Sequence, residues 1–293
     1  MKIAVYGRRF SANVVAFIRE VFEGLEQHKA EIYVHSDLHN ELGKEIYSER
    51  TPELFTTHED IAGKIDVMLS LGGDGTLLDT VALIRDSGIP VIGINFGRLG
   101  FLASINKNDI ADALKALTSR EFTYDERNLI SLHSDEGLFG DDNFALNDVT
   151  IHKRDDAAMI TIHAFINGEF LNSYWGDGII VSTPTGSTAY SLSCGGPIVF
   201  PKSGNLVLTP VAPHNLNVRP VVLSDDTELY FEVESRSASY LISCDSRTVT
   251  IDRSVKFSVK TAPFKINLIR LYNENYLTTL RNKLLWGLDA RNY

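Results

Sequence analysis

Ile65-Asp66-Val67-Met68-Leu69-Ser70-Leu71-Gly72-Gly73-Asp74-Gly75-Thr76 decides how this chain reads. The part up to Leu71 is an apolar run of strand length. Leu77, Leu78, Val81 and Ile84 then recur at helical spacing, so a helix starts just past the glycines. A strand, a glycine turn and a helix N-terminus aim backbone N–H groups and the positive helix end at one spot, which suits a phosphate. The glycines permit positive φ and close approach of a ligand. Asp74 is out of place in a plain anion cradle, because its charge repels phosphate. Its presence points to phosphoryl transfer, with Asp74 as general base or as partner of Mg²⁺. An isolated Gly-Asp-Gly is most often a surface turn. The strand before it and the helix after it make Gly72, Gly73, Gly75 and Thr76 a phosphate loop instead.

Outward from this loop, strand-like and helix-like segments alternate up to about residue 120. Ile3 to Tyr6, Ile32 to His35, Val67 to Leu71 and Pro90 to Ile94 read as strands. Val14 to Leu25 and Asp109 to Leu117 read as helices, each with one apolar face. Such alternation predicts a parallel sheet flanked by helices, with ligands at the carboxyl ends of the strands. The later turn Asn95-Phe96-Gly97-Arg98-Leu99-Gly100 falls on the same edge. From Phe122 the period shortens to two, as in Ile160 to Phe165, Leu229 to Val233 and Val255 to Val259, and Asn167-Gly168 is a hairpin turn. The expected fold is therefore an α/β domain over residues 1–121 and a mostly β domain over 122–266. The tail 267–293 returns to the first domain, with a helix from Tyr276 to Leu288 packing back on it.

The 293 residues suffice for one large or two ordinary domains with a sizeable core. Hydrophobic content of 44% and charged content of 23% are those of a globular chain and exclude a disordered one. A net charge of −10 argues against a nucleic-acid partner, but not against a small anion held in a local cradle. Two cysteines, Cys194 and Cys244, give no disulfide framework. With no signal-peptide core and no apolar run of membrane length, a cytoplasmic protein without membrane contact is expected.

A second constellation runs from Asp177 to Pro197 in the β-rich half: DGIIVSTPTGSTAYSLSCGGP. Ile179 to Val181 reads as a strand, and Pro184-Thr185-Gly186-Ser187 as a turn leading to a helix start with a hydroxyl N-cap. Hydroxyls and small residues there suit ribose and phosphate, although a hydroxyl cluster by itself is more often just a capped helix. Upstream, Asn147-Asp148 sets an amide beside a carboxylate at the mouth of a strand. The pair can serve a ribose diol or form an Asx turn.

In these segments the chain resembles the NAD kinase family. Gly72 to Thr76, Asn147-Asp148, Gly176 to Pro197, and Leu208-Thr209-Pro210-Val211-Ala212-Pro213-His214 with Arg219-Pro220 occur in that family's order, and the likeness spans residues 1 to about 270. The first motif is shared with diacylglycerol, sphingosine and phosphofructokinases; the second is much more specific. The resemblance implies ATP-dependent phosphorylation of the 2′-hydroxyl of the adenosine ribose of NAD, giving NADP. It implies Mg²⁺ or another divalent metal, with no metal ligands identified, and a homodimer or homotetramer. It implies that Asp74 accepts the 2′-hydroxyl proton and that Gly75 helps hold the dinucleotide. Asn147 and Asp148 contact ribose and diphosphate in the same reading, and Asp177 lies on the nicotinamide side, where its charge favours the cationic ring. Thr185 belongs to the NAD site as well. Thr188, Ala189, Tyr190, Ser191, Leu192 and Ser193 line the adenine and ribose end, and Ala212 lies against the nicotinamide part.

Departures from the family pattern are few. Asp148 stands where many members carry Glu, and Ser246 follows Asp245 where Gly is common, so no site residue is assigned near Asp245. His214 beside prolines reads as structural, and Cys194 as a packing residue. Trp175, next to Gly176-Asp177, offers an indole face that attracts the cation of oxidised nicotinamide. Rival readings are a lipid or sugar-phosphate kinase of the same superfamily and a non-catalytic dinucleotide sensor. The acidic chain lacks a plain basic membrane patch, and Arg8-Arg9 is its only arginine pair of the kind a sugar-phosphate site needs. Retention of Asp74 argues against the sensor.

Overall fold

The computed structural model describes residues 1–43, 46–47, 51–97, 100–154, 158–235, 239–252, 255–271 and 275–286. It divides into two units, Met1–Glu126 with Ile266–Tyr293, and Arg127–Lys265. In chain order the elements are β1 Lys2–Gly7, α1 Val15–Gln27, β2 Glu31–His35, α2 Ser36–Leu42, β3 Glu53–Phe55, α3 His58–Ile61, β4 Val67–Leu71, α4 Asp74–Ile84, β5 Val91–Asn95, β6 Ile105–Asn106, α5 Ile110–Thr118 and β7 Phe122–Ser134. There follow β8 Phe144–Ala145, β9 Asp148–Lys153, β10 Ile160–Ile166, β11 Glu169–Gly176, β12 Gly178–Ser182, α6 Tyr190–Ser193, β13 Asn205–Val211, β14 Val221–Ser224, β15 Leu229–Glu234, β16 Tyr240–Cys244, β17 Arg247–Ile251, β18 Phe257–Leu271 and α7 Tyr276–Leu284.

In the first unit the parallel strands lie in the order β3-β2-β1-β4-β5, with Leu268 at the end of β18 beside Val91. Every residue of β4 and β5 is buried, as expected of strands covered on both faces. Alternation assigns the faces. Val67, Leu69 and Leu71 join Ile18, Phe22 and Leu25 of α1 and Leu114 and Leu117 of α5 in one core. Ser70 points the other way, where Thr80 of α4 donates to its hydroxyl at 2.9 Å. Chain order reverses between β1 and β4, whose ends are paired at Gly7 and Leu71. A doubly wound sheet binds ligands at such a switch point, and the loop from Gly72 to Thr76 leaves β4 there. Lys283 of α7 lies over the Phe101 ring at 5.9 Å, so the tail helix packs within this unit. The part of that helix expected at Leu288 lies outside the described residues, as do Arg98 and Leu99 of the later turn.

The second unit is a β-sandwich. One sheet has the antiparallel order β14-β13-β12-β9-β16-β17; the other runs β11-β10-β15 to the first half of β18. Alternate residues of both, among them Val149, Ile151, Ile179, Val181, Ile162, Phe231 and Ile242, form one core. Asn167 and Gly168, at φ +50 and +88, make the expected two-residue hairpin between β10 and β11. Pro210 is tolerated in β13 because β14 pairs only with residues 205–208, leaving Pro210 a neighbour on the β12 side alone.

Candidate functional site

The loop expected to hold phosphate lies within the first unit. Gly72 turns the chain at φ +146, and a Cβ there would meet the Thr76 Cβ at 2.8 Å. Gly73 is the N-cap of α4 and makes no side-chain cap, so no capping side chain meets the first-turn N–H groups at the positive end of the helix. Nothing lies within 4 Å of where a Cβ on Gly75 would be. Asp74 is held by another loop. Its Oδ2 accepts the Phe101 amide at 2.8 Å, and its Oδ1 accepts those of Leu102 and Ala103, both at 3.0 Å. Gly100 makes this possible, since a Cβ there would overlap the Asp74 carboxylate. Three of about four lone-pair sites of the carboxylate are thus taken, and one on Oδ2 remains. Arg8 pairs with Asp79 at 2.5 Å, while the Arg9 amide donates to Glu41 at 2.9 Å.

The Asp177–Pro197 motif and Asn147-Asp148 meet within the second unit. The expected hydroxyl-capped helix is corrected. Gly186–Thr188 is a single 3₁₀ turn, α6 has only four residues, and neither carries a side-chain cap at its own N-cap. The Thr183 hydroxyl takes that part instead, accepting the Gly186 N–H at 3.1 Å and donating to the Leu146 carbonyl at 2.6 Å. The Thr183 amide donates to the Asn147 carbonyl at 2.9 Å. Gly186 packs against this segment so closely that a Cβ would overlap the Asn147 carbonyl and come within 2.7 Å of its Cα.

The other expected residues divide by exposure. Thr188 and Ala189 are half-buried, Tyr190 is 41% exposed, Leu192 is half-buried, and Ser193 and Ala212 are exposed. Ser191 is fully buried and bonds Thr209 at 2.7 Å, so its hydroxyl is spent in the interior. Thr185 is also buried and accepts from Arg127 at 3.1 Å. Asp177 does not offer a lone charge, because Lys153 Nζ lies 2.8 Å from its Oδ1. The His214 amide donates to the Trp175 carbonyl at 2.8 Å, and the two rings stand 4.4 Å apart. Cys194 follows α6 half-buried, and burial pushes its thiol up.

Asp245 is the residue that sequence reasoning missed. It stands at φ +51 in the β16–β17 turn, is 2% exposed at its side chain, and accepts the amides of Leu146, Asn147 and Asp148 at 2.8, 2.8 and 3.2 Å. A carboxylate in a tight hairpin was the available signal, but its partners are about a hundred residues away. Asp148 lies beside it, itself buried, with the Thr150 hydroxyl donating to Oδ1 at 3.0 Å. Burial, and secondly the Asp245 charge, push the Asp148 carboxyl up to about 7. Burial pushes the Asp245 carboxyl up as well, while the three amides it accepts from, and Arg247 nearby, favour its ionised form.

A raised carboxyl in the folded state binds protons that the unfolded chain has released. Its contribution to stability therefore falls as pH rises from about 4 to about 7, and is constant above that. Asp148→Asn is expected to flatten this slope and to stabilise the protein at pH 8 by about 1–3 kcal/mol. Denaturant melts of both proteins at pH 5 and pH 8 check it; a gain equal at both pH values would refute the assignment.

Two cavities of the second unit, of about 430 and 620 Å³, are lined by other residues, among them His133, Tyr230 and Lys256 in one and Asn215 and Arg219 in the other. No three His, Cys, Asp or Glu side chains converge as a metal cage among the described residues. Nor is any described helix long and apolar enough to cross a membrane.

Comparison with known proteins follows the same division. Residues 4–122 match the model of the ATP-NAD kinase N-terminal domain and residues 146–271 that of the C-terminal domain. An NAD kinase of Cytophaga hutchinsonii is 47% identical over the whole of both chains, and one of Flavobacterium psychrophilum 44%, again over both in full. A yeast NADH kinase solved with NADH superposes with a TM-score of 0.87 at 23% identity, over 98% of this chain and 88% of that one. An Archaeoglobus fulgidus NAD kinase solved with ATP gives 0.75 at 24% identity, over 97% and 99%. At those identities the structures speak for the fold, and the two family models with the full-length relatives settle the lineage: this chain belongs to the ATP-NAD kinase family.

Proposed function

We propose a division of labour for the phosphorylation of NAD by ATP, the activity of this family. The observation that carries it is the fixed Asp74 carboxylate at the N-terminus of α4, beside a loop with no cap and no side chain at Gly75. The first-turn amides from Gly73 to Thr76 take phosphate oxygens. The γ-phosphate of ATP passes to the 2′-hydroxyl of the adenosine ribose of NAD, and NADP and ADP leave. Asp74, held by three amides, keeps one lone pair on Oδ2 for the proton that the hydroxyl gives up.

Asn147, with Asp148, serves ribose and diphosphate. A carboxyl that carries its proton near neutral pH donates to a diphosphate oxygen without adding a second negative charge, which is how Asp148 is used here. The exposed Tyr190 ring and Ser193, with Thr188, Ala189 and Leu192, face adenine and ribose, while Ser191 and Thr185 support them from within. Asp177, tempered by Lys153, and Ala212 attend the nicotinamide end.

A divalent metal fits this donor set as an ion carried on the triphosphate, since Mg²⁺ is commonly bound through one or two carboxylates plus substrate phosphates. The metal would supply neutralisation of the phosphate charge; no protein ligand is assigned to it, since the free lone pair of Asp74 is kept for the proton. The acidic chain with unpaired cysteines suits a cytoplasmic enzyme without a nucleic-acid partner, acting as a homodimer or homotetramer.

The test is a matrix of ATP or polyphosphate against NAD or NADH, with Mg²⁺, scored for NADP(H). ATP with NAD should yield NADP. Product formed only from a lipid or sugar acceptor, or NAD binding without turnover, would displace the reading. Trp175, 40% exposed, supplies a further expectation. Its indole face favours the cationic nicotinamide by about 0.5–2 kcal/mol, so Trp175→Leu should lower the NAD/NADH preference roughly three- to tenfold. An unchanged ratio in a folded variant would leave the ring a packing partner of His214 only.

A further inference from the structure

Asn147 has no rigid element of its own to fix it: it sits in the two residues between β8 and β9. What fixes it is the neighbouring hairpin. The Asp245 carboxylate takes the amides of Leu146 on Oδ2 and of Asn147 and Asp148 on Oδ1, and the Asp245 amide returns a bond to the Asp148 carbonyl at 3.0 Å. Arg247, paired with Cys244 across the turn, donates from Nε to the Cys244 carbonyl at 3.2 Å and from Nη2 to the Phe144 carbonyl, tying the hairpin to the strand that leads into the segment. From the other side Thr183 occupies the carbonyls of Leu146 and Asn147. The peptide groups of Leu146 and Asn147 are thus pinned on both sides, so the direction of the Asn147 side chain follows from where Asp245 holds its backbone. We propose that Asp245 is a positioning residue for NAD binding, acting through the Leu146–Asp148 backbone. This rests on the assignment of Asn147 to NAD.

The device needs a carboxylate. Three donors converge on two oxygens, and only an ionised acid accepts on both while presenting no hydrogen of its own. Asparagine keeps one acceptor oxygen and turns an amide NH₂ toward an N–H. A hairpin turn alone has no such requirement. Asp74 shows the same arrangement in the first unit, where three successive amides close on one acid.

The experiment is steady-state kinetics on the full-length Asp245→Asn protein, varying NAD at saturating Mg²⁺-ATP and then ATP at saturating NAD, with active enzyme counted by titration. KM for NAD should rise about 10- to 100-fold, the loss of one or two charge-assisted hydrogen bonds, while KM for ATP stays within about threefold. A folded variant with a lower melting temperature but wild-type KM for NAD per active enzyme would overturn the proposal and leave Asp245 a stability residue. Should Asp245→Asn not fold, Thr183→Val loosens the same segment from its carbonyl side. A smaller rise in KM for NAD is then expected, and none at all overturns the proposal. Failure of the wild-type protein to make NADP would instead sink the functional assignment, so the two failures are told apart.

Discussion

Asp74→Asn is expected to lower kcat by about 10²–10⁴-fold, the usual range for loss of a general base, with the Kd for NAD changed by less than about tenfold. Phosphoryl transfer is mostly positioning and charge stabilisation, but the ribose hydroxyl is a poor nucleophile until its proton has somewhere to go. The substitution is not silent in the fold. Asn keeps an oxygen for Leu102 and Ala103, but where Oδ2 accepts from Phe101 it can set an NH₂ donor against a donor. A stability loss of about 1–3 kcal/mol accompanies the catalytic one. Rapid-quench kinetics, calorimetry for NAD and for Mg²⁺-ATP, and a denaturant melt separate the effects. Loss of Mg²⁺-ATP binding together with activity would make Asp74 a metal ligand, with the base elsewhere. Turnover near that of the wild type would remove it from the chemistry altogether.

Gly186→Ala should be nearly as damaging, for a different reason. The added Cβ has no flexible neighbour to displace; it meets the carbonyl oxygen, carbonyl carbon and Cα of Asn147, all backbone. Either the 3₁₀ turn or the Asn147 segment must move, at a cost of about 3 kcal/mol. NAD binding is expected to fall with it, because the proposed NAD site takes in both pieces. Gly75→Ala is the control within the same experiment. Its Cβ meets nothing within 4 Å, and Ala in the first turn of α4 is at least as stable as Gly. That variant should melt like the wild type yet lose activity, because the space it fills is left for a ligand. If Gly186→Ala retained wild-type stability and NAD affinity, the close packing of the two loops would carry no functional weight. Should Gly75→Ala retain full activity, no ligand approaches the loop at that glycine.

Local pattern carried much of the way. Val67 to Leu71 followed by glycines and a 3.6-residue period is a strand, loop and helix by backbone and hydrophobic geometry alone, and β4 and α4 are where that reading puts them. Alternation at period two gave β10 and β15, and Asn167-Gly168 gave their neighbouring hairpin, because positive φ is cheap at those residues. The hydroxyl-rich motif misled where a local rule was applied to a segment shaped by distant partners. Its helix has one turn and no side-chain cap, and the 3₁₀ turn before it is held by Thr183, whose other bond goes to Leu146, 37 residues earlier.

Composition, hydrophobic period and glycine placement by themselves determined an α/β unit with a glycine loop between strand and helix, and a β-rich unit with a hydroxyl motif. These are short-range properties of neighbouring residues. Only the tertiary structure decided what the acidic residues do. Asp74 and Asp245 each close on three amides from another part of the chain, Asp177 meets Lys153, and Asp148 is raised toward neutrality by burial beside Asp245. The charge on a carboxylate is written in the sequence, but its partners and its desolvation depend on which loops the fold brings within 3 Å of it.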